Sequence, residues 1–358
     1  MTYLNSPHEG PLVDDDLRTI AWIGAGIRLI DQTRLPASLA YLDIRDVDAL
    51  IDAITRLAVR GAPALGVAGA FGVALAMVQG EREGWSAARL EAEVGRIRDA
   101  RPTAVNLAWG VEQVRGLMAE GPQAVVDRAT QLILEDERTN HEIGARGADW
   151  ILDAVPHRPV RVLTHCNTGL LATTAWGTAL GIVRELHARG LLERVFVDET
   201  RPLLQGSRLT AWELEQEGIP YVVEVDGAAA STAARHLVDV AIIGADRVAA
   251  NGDTANKIGS LGVALACANA GIPFVVAAPE STVDLQTPSG SEIEIEYRDD
   301  EEVVRWAGMQ VAPASARGYN PAFDVTPGRL VSALVTERRV VEVASGQVPS
   351  DSIEELVS

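Results

Sequence analysis

Through the first 150 residues, apolar positions recur mostly at helical spacing. Segments 46–59, 83–100 and 104–119 each carry an apolar stripe with a period near 3.6, and 125–155 reads as one long, charge-rich helix. Segment 21–30 reads as a short strand or hairpin. Residues 61–80, GAPALGVAGAFGVALAMVQG, contain no charge over 20 positions, which is the length of a membrane span. Five of the 20 are glycine and six are alanine, Pro63 sits near the start, and no second such segment exists. That composition predicts a tightly packed internal helix. The break PHRPV at 156–160 marks a boundary, giving one unit over 1–150 and another over 156–350.

From residue 160 the period changes. Apolar, β-branched runs at 160–165, 194–198, 221–225, 238–244 and 273–278 predict strands, with a weaker one at 323–325. Helical patterns at 168–189, 206–217, 227–236 and 256–271 lie between them. Strand–helix alternation at this spacing predicts a parallel, doubly wound sheet. The expected fold is therefore α/β, a mainly helical N-terminal domain followed by the sheet domain.

Composition narrows the function. The formal net charge is −19, which disfavours nucleic acid and anionic membranes as partners. A small anionic ligand is compatible only with a local cationic cluster. Of 31 basic residues one is lysine, Lys257, leaving 30 arginines. A lone lysine in such a chain marks either chance retention on the surface or a need for a compact point charge. Two cysteines, with neither a CxxC nor a Cys/His cluster, argue against disulfides and structural zinc and fit a reducing cytoplasm. The opening MTYLNSPHEGPLVDDD lacks the apolar core of a signal peptide.

In open α/β sheets ligands bind at the carboxyl ends of the strands. Cys166, Glu199, Arg201, Gln205, Asp246, Asn256 and Lys257 all follow predicted strands and are expected to crowd one rim. Cys166, at a strand end ahead of an expected helix N-terminus, has the setting of a reactive thiol, whereas Cys267 in ALACANAG reads as a small buried apolar residue. His165 points to the opposite face from Cys166 and reads as structural. Asp246, after VAIIGA, is either a turn cap or an acid/base whose pKa desolvation would raise. Asn256 and Lys257 are expected at a helix start, a place to hold phosphate. No dinucleotide or P-loop glycine motif is present, and no His/carboxylate spacing resembles a catalytic metal site.

The segments LIDQTRLP (29–36), RGAPALG (60–66), THCNTGLLAT (164–173), DETRPLLQGSRLTAWEL (198–214), GADRVAANGDTANKIGS (244–260) and NPAFDVTP (320–327) together resemble the S-methyl-5-thioribose-1-phosphate isomerase family of methionine salvage. The wider superfamily includes ribose-1,5-bisphosphate isomerases and regulatory subunits of a translation-initiation exchange factor. The resemblance implies a Rossmann-like second domain that mediates homodimerisation, a cytoplasmic enzyme, and an aldose–ketose isomerisation of a sugar phosphate that needs neither cofactor nor metal. It implies Cys166 and Asp246 as the catalytic pair. It assigns Arg60, Gly61, Ala62, Arg101, Gln205, Asn256 and Lys257 to substrate contacts. Trp109 and Trp176 are candidates for an apolar wall at the sugar's 5-substituent. The competing expectations are isomerisation of 5-deoxyribose 1-phosphate or ribose 1,5-bisphosphate, and a regulatory module that binds a phosphorylated ligand without turnover.

Overall fold

The structure is a computed structural model describing residues 18–102, 105–306 and 308–351; the acidic opening stretch 1–16 lies outside them. A three-stranded antiparallel sheet comes first, β1 (Ile20–Ile23), β2 (Gly26–Ile30) and β3 (Tyr41–Ile44). The expected hairpin over 21–30 is β1 and β2. Strand β3 escaped the pattern because its four residues give too short an alternation to read.

Five helices follow: α1 (Val47–Thr55), α2 (Ala62–Glu83), α3 (Ala87–Arg98), α4 (Val105–Arg115) and α5 (Pro122–Ala154). Asp46 and Ser86 accept the backbone N–H groups of Ala49 and Arg89 and so start α1 and α3. Helix α2 has the length and composition of a membrane span, yet 78% of its most apolar window is buried inside the protein. Its small residues allow that burial. A Cβ on Gly110 of α4 would fall 1.8 Å from the Gly66 carbonyl oxygen, and one on Gly69 would fall 2.5 Å from that of Leu107. The α2 and α4 backbones therefore meet directly.

The first half of α5 (Val125, Ala129, Leu132) packs into the core around α2. Its second half (Ile143, Ala148, Ile151) packs into a separate core against a seven-stranded sheet. In chain order the remaining strands and helices begin β4 (Val160–Thr164), α6 (Ala179–Ala188), β5 (Leu192–Asp198), α7 (Ala211–Gln216), β6 (Tyr221–Glu224) and α8 (Ala229–Ala234). They continue with β7 (Val240–Ile243), β8 (Arg247–Ala249), β9 (Thr254–Lys257), α9 (Ser260–Ala270), β10 (Phe274–Ala277) and β11 (Val283–Asp284). The last are α10 (Glu301–Val304), β12 (Arg305–Trp306), β13 (Met309–Gln310), β14 (Phe323–Thr326), β15 (Ala333–Val335) and β16 (Val340–Val341).

The large sheet has the order β16-β15-β10-β7-β4-β5-β6, and all its pairs are parallel except β15–β16. The chain winds from β4 outward through β5 and β6, then returns across β4 to β7 and runs the other way. The point of reversal lies between β4 and β7, where an open parallel sheet leaves a crevice at its carboxyl edge.

Three expectations are corrected. Segment 323–325 is a strand, but it belongs to a four-stranded sheet of order β11-β8-β9-β14 outside the parallel one. Asn256 and Lys257 lie on β9, and α9 starts only at Ser260. Residues 168–178 are not helical; α6 begins at Ala179. Their backbone groups are held from outside: Leu170 and Leu171 N–H donate to the buried Glu213, and Thr174 N–H donates to Asp136 of α5 at 2.9 Å.

Burial pushes the Asp136 carboxyl up to about 6, against hydrogen bonds from Thr174 and Asn140 that pull it down. A raised carboxyl favours the fold below its unfolded pKa, and this contribution is lost as pH rises through about 6. Asp136→Asn keeps an acceptor for Thr174 and carries no charge. Relative to the parent it is expected to gain stability between pH 5 and pH 8, on the order of 1–2 kcal/mol. Denaturant midpoints at the two pH values measure this, and an equal offset at both would contradict it.

Candidate active site

The crevice at the β4/β7 reversal is the mouth of a cavity of about 310 Å³, a size suited to a small metabolite. All nine residues proposed from sequence line it: Cys166, Asp246, Arg60, Gly61, Ala62, Arg101, Gln205, Asn256 and Lys257. Glu199 and Arg201, expected on the same rim, do not. Asp226 accepts the N–H groups of Thr200 and Arg201 at 2.7 Å each and turns that segment aside. The Arg201 side chain then donates to the carbonyls of Pro202, Glu302 and Val303 and lies over the Trp306 ring. Trp109 and Trp176 are also outside the wall: Trp109 packs on Gly66, and Trp176 stacks on His141 with centroids 4.3 Å apart.

Cys166 sits two residues beyond β4 with φ +64°, in the left-handed region. For a residue with a side chain this backbone costs on the order of 1–3 kcal/mol and needs external support. Two threonines supply it. Thr200 Oγ1 accepts the Cys166 N–H at 2.8 Å, and Thr210 Oγ1 donates to the Cys166 carbonyl at 2.6 Å. The thiol is therefore presented by a fixed turn. It does not stand at a helix N-terminus, because residues 168–178 are not helical.

His165 faces away into the sheet. Its Nε2 donates to the Ile258 carbonyl at 2.8 Å, and Nδ1 meets Asp198 at 2.8 Å. Burial pulls the imidazole pKa down, but the Asp198 hydrogen bond and charge and the Ile258 carbonyl outweigh it and raise it. Among the described residues, His165, Asp198 and Asp226 are the group whose ligating atoms gather as a metal would require, within 4.8 Å of one another. His165 is held by the Ile258 carbonyl and by Asp198 Oδ2, and Asp226 by the N–H groups of Thr200 and Arg201, so the three act as an internal brace.

Asp246 follows β7. Its backbone N–H donates to the Ala255 carbonyl at 2.9 Å, which fixes β8 beside β9 and brings Asn256 and Lys257 next to it. The Asp246 side chain is exposed where it faces the cavity, with protein crowded around it. Desolvation raises its pKa and outweighs the lowering charges of Lys257, Arg60 and Arg101. Desolvation also lowers the Lys257 pKa, against the raising influence of Cys166 and Asp246. The lysine Nζ donates to the Ala322 carbonyl at 2.8 Å and lies 4.5 Å from the Phe323 ring centroid.

The helix-start reading of the phosphate seat fails for a specific reason. Asp324 of β14 accepts the N–H groups of Gly259 and Leu261 at 2.8 and 3.1 Å and so occupies the start of α9. Asn256 instead donates to Ser260 Oγ at 2.8 Å. The cations of the cavity come from elsewhere. Arg60 donates to Asn167 Oδ1 and to its carbonyl, and Arg101 pairs with Glu296 at 3.3 Å. Gly61 has φ +91° and starts α2 with its Cα against the Ala172 backbone; a Cβ there would lie 2.1 Å from the Ala172 carbonyl oxygen. Glu296 and Arg298, which also line the cavity, were missed because nothing in their local pattern signals a site.

Gly61→Ala is expected to force α2 away from residues 169–174 and to weaken ligand binding about tenfold or more while the separate sheet core remains folded. Ligand titration alongside circular dichroism checks this; unaltered affinity would show that the close approach is dispensable.

The model of the initiation factor 2 subunit family matches residues 58–342. The chain is 51% identical over 330 residues to a probable bifunctional methylthioribose-1-phosphate isomerase/methylthioribulose-1-phosphate dehydratase of Nocardia farcinica, covering 92% of this chain but spanning only 59% of that protein. It is 48% identical over 342 residues to a methylthioribose-1-phosphate isomerase of Gloeobacter violaceus, covering 94% of this chain and 97% of the relative. The crystal structure of 5-methylthioribose 1-phosphate isomerase from Pyrococcus horikoshii OT3 superposes with a TM-score of 0.82 at 36% identity, covering 95% of both chains.

Proposed function

Because this chain belongs to the initiation factor 2 subunit family, and relatives matched over nearly their whole length carry the isomerase name, we propose that it converts 5-methylthioribose 1-phosphate to 5-methylthioribulose 1-phosphate in methionine salvage. The observation that carries this reading is the placement of Cys166 and Asp246 at the ends of the two strands flanking the sheet reversal, in one sheltered cavity with Arg60, Arg101 and Lys257.

The substrate carries phosphate on carbon 1 and cannot open to a free aldehyde. Acid assistance must break the ring carbon–oxygen bond, and hydrogen must then pass from carbon 2 to carbon 1. Asp246, with its raised pKa, holds the proton for the ring oxygen. Cys166 either takes the carbon 2 proton through an enediol or walls a dry pocket in which hydride migrates. Arg60, Arg101 and Lys257 supply charge for the phosphate, and Gln205, Asn256 and the Gly61–Ala62 backbone complete the contacts. Leu57, Pro63, Leu65, Val105, Ile293 and Ile295 also line the cavity and offer an apolar surface to the methylthio group.

A helical unit over 1–150 and a Rossmann-like, doubly wound unit over 156–350 belong to the same reading, supported by the two separate cores that α5 joins. So do a cytoplasmic location and a homodimer, for which the edge strand β6 exposes Val222 and Val223. The second reading is a regulatory module that binds a phosphorylated ligand without turnover; the name of the matching family model favours it.

Mixing the protein with methylthioribose 1-phosphate and following ketose formation separates the two readings. Cys166→Ser and Asp246→Asn are each expected to lower turnover by about 10²–10⁴-fold with the fold intact. Near-parental turnover in either would remove that residue from the mechanism. Lys257→Ala is expected to raise KM through lost phosphate charge; unchanged KM and kcat would discard its role. Solvent deuterium appearing at carbon 1 of the product identifies the enediol route.

A further inference from the structure

A second cavity of about 230 Å³ adjoins the first and shares Leu57, Arg60, Leu203 and Gln205 with it. Its own wall includes Gln32, Arg56 and Arg208. The Arg208 guanidinium donates to the carbonyls of Leu35, Leu203 and Gln32 at 3.1, 3.0 and 2.7 Å. Among the described residues Arg60 donates only to Asn167. Neither arginine forms an ion pair with a carboxylate among the described residues, whereas Arg56 is matched by Asp31 and Asp52. Burial, and then the charge of Arg60, lower the Arg208 pKa. Two neighbouring sheltered cations, neither in direct contact with a carboxylate, favour an anion between them. The polar atoms around them are also unmatched: Arg60 Nε and the Oε1 atoms of Gln32 and Gln205 are buried without a partner. Gln32 Nε2 already donates to the Leu171 carbonyl, so its oxygen is left as a free acceptor.

We infer that this side cavity seats a phosphoryl-sized oxyanion between Arg60 and Arg208. The anion supplies the missing charge, its oxygens accept from the guanidinium forks, and a hydroxyl on it or beside it donates to the glutamine oxygens. The seat shares Arg60 with the phosphate contacts of the main cavity, while Arg56 and Arg208 border only the smaller one. Two sources share this chemistry: free inorganic phosphate, and the second phosphoryl group of a sugar phosphorylated at both ends.

Calorimetric titration of inorganic phosphate into the substrate-free protein tests the seat. Two saturable sites are expected. Lys257→Ala should abolish the one in the main cavity, and Arg208→Gln should weaken the other about tenfold or more. Arg56→Gln, on the partly exposed side of the wall, should weaken that same site severalfold, and it serves if Arg208→Gln does not fold. A single site lost with Lys257→Ala and indifferent to both arginine changes would overturn the inference, as would no saturable binding. If ribose 1,5-bisphosphate displaces the Arg208-dependent phosphate and ribose 1-phosphate does not, the seat receives the far end of a ligand; if neither displaces it, the seat belongs to the free anion.

Discussion

Glu213, fully buried on α7, gathers four donors at one point: Asn167 Nδ2 at 2.8 Å, Leu170 N–H at 2.8 Å, Leu171 N–H at 3.2 Å and Arg184 Nη2 at 2.8 Å. Breaking one partner from a buried ion pair of this kind costs about 3–5 kcal/mol, because an uncompensated charge is left behind. That carboxylate holds the turn after β4 open, so that the chain cannot run directly into a helix. Asn167, gripped by Glu213 on its amide nitrogen, presents its oxygen to Arg60, and Arg60 stands in both cavities. Gly169 is small because a Cβ would fall 2.0 Å from a Glu213 oxygen. The position of the thiol, the first cation and the approach of α2 thus depend on a residue that touches no ligand itself.

A chain with net charge −19 concentrates positive charge in one place. Arg60, Arg101, Arg298 and Lys257 face the larger cavity, with Asp246 and Glu296 among them. Desolvation shifts Asp246 and Lys257 in opposite directions, each toward its neutral form. An entering phosphate would favour the lysine's charged form. The same low-dielectric setting strengthens whatever hydrogen bonds a bound sugar makes.

Much of this was legible in the sequence because the relevant features are local or periodic. Five of the seven strands of the large sheet appear as β-branched runs, and polar residues after β4 and β7 converge because parallel strands share one carboxyl edge. What was not legible depends on distant partners. The helical spacing over 168–178 is genuine, but Glu213 and Asp136 claim its backbone groups. Lys257 and Asn256 follow a turn signal that resembles a helix start, yet pairing with Phe323 and Asp324 makes them a strand. Arg201 looks like a rim residue until Asp226 turns its segment away. Arg208 gave no signal at all, since its isolation from carboxylates is a property of the folded neighbourhood.

The single lysine gives the molecule an unusual handle. Apart from the chain's terminal amine, Lys257 is the one aliphatic amine in the sequence, and its lowered pKa leaves more of it as free base than an ordinary surface lysine would have. An amine-selective reporter small enough to enter would therefore mark one address, at the floor of the crevice, without any engineered cysteine or removal of competing side chains.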